Sequence, residues 1–293
     1  GPFVVDSEIV CRTTPNDGKV DGDSSIVSVI VTNTAPVISD VSITYSGNLT
    51  STTLLTCLYN ASDVDNQSLT TTYTWTNLST NTVFSSTSDT LQLSPSESSP
   101  GDVVECSVSV TDTSNGTDTV AATDTVLNTD PTFSSNAVIT TTGTQVGDTW
   151  TCAAMGTDQD DGTLAPTYEW MDSSGNSVGS GDTLVLSATN SSPNQSISCV
   201  ATITDSLNVT ANSTASETAT NTTPVFDASA SITPSTSVVT ASLLTCFGSA
   251  SDADGDTPSI SYAWTNVDGT VYGSTSDTLQ LTPSTVSPAD TVT

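Results

Sequence analysis

Residues 103–111 alternate in character: Val104, Cys106, Val108 and Val110 fall on one side, and Glu105, Ser107 and Ser109 on the other. A period of two with one apolar face is the pattern of an antiparallel strand that covers a core on one side only. Further strands are predicted at Leu54-Leu-Thr-Cys57-Leu and Leu243-Leu-Thr-Cys246-Phe. Others carry Tyr and Trp two apart, at Tyr73/Trp75, Tyr168/Trp170 and Tyr262/Trp264. An acid-Thr-Leu-x-Leu run adds Asp89–Leu93, Asp182–Leu186 and Asp277–Leu281. No segment has the 3.6-residue apolar period of a helix, so the whole chain is predicted to be all-β.

These strands recur with a period of 93–95 residues. Each repeat opens on a Pro-bearing hinge, at Asn33-Thr-Ala-Pro36, Asn128-Thr-Asp-Pro131 and Asn221-Thr-Thr-Pro224. The hinges divide the chain into residues 1–33, 34–128, 129–221 and 222–293. At 293 residues the chain is too long for one sandwich of about 100 residues and suits about three.

Within each repeat a Cys is followed by a Trp eighteen residues on, then by a second Cys: Cys57–Trp75–Cys106, Cys152–Trp170–Cys199 and Cys246–Trp264 without the second Cys. This spacing resembles that of immunoglobulin-like sandwiches, in which a buried Trp packs against a disulfide joining two sheets. With the hinges and Asp-rich loops, the chain resembles the tandem Ig-like repeats of large prokaryotic extracellular surface proteins. That broad family includes PKD-type and cadherin-like modules. The resemblance covers essentially the whole chain. It implies a tandem array of Ig-like β-sandwich domains with intersheet disulfides, and a role as spacer stalk, filament or adhesin. One departure is that Val104 and Ile197 stand where antibody domains carry a Tyr two residues before the second Cys. The likeness is therefore to the general sandwich, which hosts many activities. Zinc is the rival reading of the cysteines, but the sequence has no CxxC and no His.

The ends of the chain do not coincide with repeat boundaries. Residues 1–33 read as the last two strands of a unit: Cys11, a turn, then Ile26–Val31. Residues 222–293 read as a unit stopped just before its second Cys. Two explanations are open. The chain is a segment of a longer array, or the N-terminal strands of one molecule complete the C-terminal sandwich of the next, pairing Cys11 with Cys246 and propagating head to tail.

The charge is one-sided, with 32 acidic residues against two basic ones, Arg12 and Lys19. Nucleic acid and anionic membrane surfaces are excluded as partners, because both demand Lys and Arg. Salt or multivalent cations would screen such a chain. There is no run of about 20 apolar residues and no legible leader, so a leader or anchor lies outside these residues or has been removed. Ser and Thr make up roughly a third of the chain and aromatics 5%, so each core is small. Disulfides offset that, and six cysteines at these spacings place the protein in an oxidising, extracellular or cell-surface compartment.

Acidic loops follow the first-Cys strands: Asp63-Val-Asp65-Asn66, Asp158-Gln-Asp160-Asp161-Gly162 and Asp252-Ala-Asp254-Gly255-Asp256. Alternating carboxylates can wrap Ca²⁺, which takes six to eight oxygens, and Asp112 and Asp205 could approach from a neighbouring loop. The same residues are also common turn formers. Residues 16–23 read as a hairpin loop with the same chemistry. Ten N-x-S/T sequons, at Asn48, Asn60, Asn66, Asn77, Asn115, Asn190, Asn194, Asn208, Asn212 and Asn221, offer glycosylation sites. Trp150, outside the Cys–Trp spacing, is expected in the core, and Phe84 and Tyr272 outside it.

Catalysis has little support. Without His and nearly without Lys or Arg, a nucleophile lacks its base and an oxyanion its cation. Acidic pairs repeated in every unit read as structure, so no enzyme is expected. The function expected is a structural component of an extracellular fibre, filament or stalk, its partners being copies of itself or adjacent repeats. The alternative is an adhesin whose loops bind a glycan or protein.

Overall fold

The computed structural model describes residues 4–287, 289, 291 and 292. Among them every regular element is a strand. The chain forms two compact units: residues 1–132 with 157–164 and 205–209, and residues 133–156 with 165–204 and 210–293.

The first unit begins with a two-stranded antiparallel hairpin, β1 (Glu8–Thr13) and β2 (Ser25–Ile30), with Cys11 opposite Val27. The first sandwich follows, from β3 (Val37–Thr44), β4 (Leu54–Ser62), β5 (Thr70–Asn77), β6 (Thr82–Val83), β7 (Thr90–Gln92), β8 (Val103–Thr111) and β9 (Thr117–Thr125). One sheet runs β3-β4-β7 and the other β6-β5-β8-β9. The Cys57–Cys106 disulfide joins β4 to β8, and thus sheet to sheet. The alternation of β8 is realised in full, since Val104, Cys106, Val108 and Val110 are completely buried. Each such valine is worth about 1.5–3 kcal/mol of apolar burial. Trp75 is also buried and donates Nε1–H to the Ser88 carbonyl at 3.0 Å. The ring therefore adds apolar contact without leaving a donor unpaired.

The second sandwich comprises β10 (Thr132–Thr141), β11 (Thr149–Asp158), β12 (Gly162–Leu164), β13 (Thr167–Met171), β14 (Ser177–Ser180), β15 (Thr183–Val185), β16 (Ser196–Thr204) and β17 (Thr210–Thr218). One sheet contains β10, β11, β12 and β15, the other runs β14-β13-β16-β17, and Cys152–Cys199 joins them. Trp150 lies in the core as expected, its ring 6.3 Å from that of Trp170, and donates to the Gly143 carbonyl.

The third repeat, within the second unit, is thinner. Its strands are β18 (Val225–Phe226), β19 (Ser231–Thr233), β20 (Leu243–Phe247), β21 (Ala250–Ser251), β22 (Trp264–Thr265), β23 (Val271–Tyr272) and β24 (Thr278–Gln280). They form a β19-β20-β24 sheet and two pairs, β18-β21 and β22-β23. Trp264 is buried and bonded to the Ser276 carbonyl like its counterparts. The Tyr262/Trp264 strand, however, is reduced to Trp264–Thr265. The reason is visible in the first sandwich, where β5 pairs over eight residues with β8 but over two with β6. In the third repeat, among the described residues, the ladder on that side is represented by the Asn266–Val292 bridge. Phe84 and Tyr272, expected outside the core, are both buried.

Candidate functional site

The repeated hinges bring the acidic loops to the start of each sandwich. The backbone N–H of the hinge Thr donates to the middle Asp of the loop every time: Thr34 to Asp65 at 2.8 Å, Thr129 to Asp160 at 2.7 Å and Thr222 to Asp254 at 2.5 Å. In the last two loops that Asp is held in turn, its own N–H bonded to the first Asp, 158 or 252. A second clamp uses the hinge Asn. Asn33 donates to Asp112, and Asn128 to Asp205, each at 2.9 Å. Asp112 lies in the β8–β9 loop, and its other oxygen accepts the N–H groups of Ser114 and Gly116. Asp205 accepts those of Leu207 and Val209 in the same way.

These donors set the acidity of the loops. The Asn33 amide, with the Gly116 and Ser114 N–H groups, holds the Asp112 carboxyl below the usual aspartate range against its burial. For Asp205 burial pushes upward, but the Asn128 side chain and the Val209 and Leu207 N–H groups outweigh it and the net shift is down. The second hinge is further tied by bonds from Ser51 to Asp160, from the Gln159 amide to the Thr52 hydroxyl, and from the Ser206 N–H to Asp161.

Among the described residues no three Cys, Asp or Glu side chains gather as a metal-holding group. Asp63, Asp65, Asp158, Asp160, Asp161, Asp252 and Asp254 are spread along the hinges, and Asp256 is exposed. Several oxygens there nevertheless lack a donor. Asn33 Oδ1, Asp63 Oδ2 and Gln67 Oε1 do so at the first hinge, and Asn128 Oδ1 and Asp158 Oδ2 at the second. All are hard oxygen acceptors of the kind that suits Ca²⁺.

Over its six paired positions the hairpin β1–β2 repeats the register of β8–β9 and β16–β17, which pair over nine. Cys11 faces Val27, Cys106 faces Ala122 and Cys199 faces Ala215, each sixteen residues on. The base is closed identically, by Asp6 and Val31, Gly101 and Val126, and Asn194 and Ala219. Asp6, Gly101 and Asn194 all have positive φ. Asp17, six residues after Cys11, occupies the place of Asp112 and Asp205, and accepts the N–H groups of Lys19 and Val20. In contrast to its counterparts, this hairpin carries Val10, Ile26, Val27, Val29 and Ile30 exposed, and the Cys11 thiol free and exposed. Cys246 is also free and half-buried, where Cys57 and Cys152 are covered and bonded. The third repeat also has a groove of about 890 Å³, lined by Ile232, Leu244, Leu281, Val286 and Val292 among others.

Eight of the ten sequon asparagines are exposed and Asn190 is half-buried. Asn77 is a correction: it is fully buried, its amide nitrogen donating to the Glu97 carbonyl and to Asp102. A glycan on that nitrogen has no room in the folded sandwich. The clamping roles of Asn33, Asn128 and the hinge Thr residues were not anticipated from sequence. The signal was the constant offsets from the second Cys, six residues to the Asp and twenty-two to the Asn.

No protein-family model matches the sequence, and no curated protein matches it. Solved structures do. One, from work on host cell surface retention of a 1.5-MDa bacterial ice-binding adhesin, is similar over 86% of this chain and 85% of that one, with 16% identity and a TM-score of 0.30. Another, the three N-terminal domains of the highly immunogenic outer capsid protein of bacteriophage RB49, is similar over 85% and 84%, with 15% identity and a TM-score of 0.25. At those values neither speaks to what this chain does.

Proposed function

We propose that this chain is a structural element of an extracellular surface fibre or stalk, built from disulfide-stapled Ig-like sandwiches. The observation that carries the reading is the repetition of the hinge clamp. Thr34, Thr129 and Thr222 each bind the acidic loop of the sandwich they introduce. An active site or a receptor site needs to occur once; a device that fixes successive units recurs at every joint. The Pro in each hinge adds stiffness. The acidic, Ser/Thr-rich exterior keeps the element soluble and resists nonspecific association. The adhesin alternative calls for exposed aromatics in loops that differ between units, and burial of Phe84 and Tyr272 removes two of the candidates.

Calcium belongs to the same reading as a hinge ligand. The donorless oxygens of Asn33, Asp63 and Gln67, and of Asn128 and Asp158, would hold it and tighten the joints. Immunogold labelling of intact source cells tests the function. Label along extended structures outside the cell is expected, and label confined to the cytoplasm contradicts it.

A further inference from the structure

We propose that the first sandwich carries a binding site for a neutral pyranose sugar, in the groove between the end of β3 and the start of β4. This goes beyond the structural role above and stands or falls without it. The groove has a volume of about 480 Å³ and is lined by Thr44, Tyr45, Ser46, Thr53, Leu54 and Thr56.

Its one aromatic ring is that of Tyr45, which is 37% exposed. The Tyr45 hydroxyl donates to Asp124 at 2.9 Å, and the other oxygen of that carboxylate accepts the Thr125 N–H at 2.7 Å. The bond ties the end of β3 to β9 in the opposite sheet. It also pushes the phenol pKa up, together with burial and the Asp124 charge, so the hydroxyl stays a donor. A ring pinned in this way is oriented before a ligand arrives, and binding costs less in ordering.

The remaining lining fits the same ligand. Leu54, 55% exposed, adds apolar surface beside the ring. The hydroxyls of Ser46 and Thr56 have no hydrogen-bond partner among the described residues. A pyranose presents a face of C–H groups and an edge of hydroxyls. The C–H face meets the negative face of the Tyr45 ring, and the hydroxyls both donate and accept, as Ser and Thr do. Charge selects a neutral sugar. The chain carries −30, and its two cations, Arg12 and Lys19, lie outside the groove, so a phosphate, sulfate or carboxylate would find no counter-charge there.

The feature occurs once. Thr44 pairs with Thr56, the Thr140 hydroxyl donates to the Thr151 carbonyl, and Thr233 pairs with Thr245, each of these partners standing just before a first Cys. The next residue after Thr44, Thr140 and Thr233 is Tyr45, Thr141 and Pro234 in turn. Only the first sandwich has an aromatic at this position. The hinge clamps recur at each joint, whereas a recognition site needs one copy.

The test uses the full-length chain, titrated with the methyl glycosides of glucose, galactose, mannose and N-acetylglucosamine and followed by amide NMR shifts. At least one is expected to bind saturably, with a dissociation constant on the order of 1 mM for a single ring and shifts confined to residues 44–46, 53–56 and 124. Tyr45→Ala is expected to weaken that binding about tenfold. Tyr45→Phe, which keeps the ring and loses the bond to Asp124, should weaken it about threefold. Thr141→Ala, at the equivalent position of the second sandwich, should leave it unchanged. The shift map and Tyr45→Phe give a reading even where Tyr45→Ala does not fold. No saturable binding by any of the four glycosides, shifts centred elsewhere, or wild-type affinity in Tyr45→Ala would overturn the proposal. Tighter binding of methyl glucuronoside, which carries a carboxylate, would overturn the neutral class.

Discussion

The side chain of Asn128 donates to Asp205 at 2.9 Å across 77 residues of sequence, and thereby locks a hinge to the far hairpin of the sandwich that follows it. Asn33 and Asp112 repeat the contact one unit earlier. The Asn221 amide donates instead to the neighbouring Thr222 carbonyl. Asn128→Ala should therefore cost about 1.5–3 kcal/mol, the range for a hydrogen bond to a charged group. Asn221→Ala should stay within about 0.5 kcal/mol. Calorimetric melting of both variants checks the contrast, and equal effects would contradict it.

Acid should weaken the hinges. Asp112 and Asp205 have carboxyl groups held below the usual range in the folded chain. Their contribution is fully present above the ordinary aspartate value of about 3.9 and is lost as pH falls through the lower folded-state value. Protonation also relieves the self-repulsion of a chain at −30, which acts in the opposite sense. The comparison that isolates the hinges is wild type against Asn33→Ala/Asn128→Ala. The double variant should lose less of its melting temperature between neutral pH and acid than wild type does. Parallel pH curves would contradict the assignment.

Calcium should stabilise the first two hinges, where Asp63, Asp158, Asn33 and Asn128 leave oxygens without donors. Binding at a hundredfold excess over the dissociation constant is worth about 2.7 kcal/mol, or roughly 5 °C or more in melting temperature. Millimolar Ca²⁺ against EDTA gives the reading. Identical curves would remove calcium from the account.

The disulfides should carry much of the stability of these small cores. Loss of Cys57–Cys106, which closes a separation of 49 residues, should cost about 4 kcal/mol by loop entropy. Urea unfolding of Cys57→Ala/Cys106→Ala measures it, and a loss below about 1 kcal/mol would contradict the entropic account.

Much of this architecture was legible in the sequence, because the signals are local. The alternation around Cys106 and the eighteen-residue step from Cys57 to Trp75 specify strands and core directly. Trp150 could be placed because it falls two residues before Cys152, on the face that Leu55 and Leu244 share. The hinge clamps were not legible in that way. Asn33 and Asp112 lie 79 residues apart, and an Asn before a Pro-bearing hinge reads locally as a turn former. Asn77 misled because a sequon is a local string, whereas its burial depends on Glu97 and Asp102 arriving from another segment. Tyr272 sits in a two-residue strand and Phe84 directly after one, its N–H bonded to the Trp75 carbonyl, so their inward placement is set by the partner strand rather than by their own pattern.

Disulfide mapping of the oxidised, native-source protein by peptide mass spectrometry tests the central claim most directly. The account predicts Cys57–Cys106 and Cys152–Cys199 as disulfides within the chain. Any of those four cysteines found free or paired otherwise in the oxidised protein would contradict it.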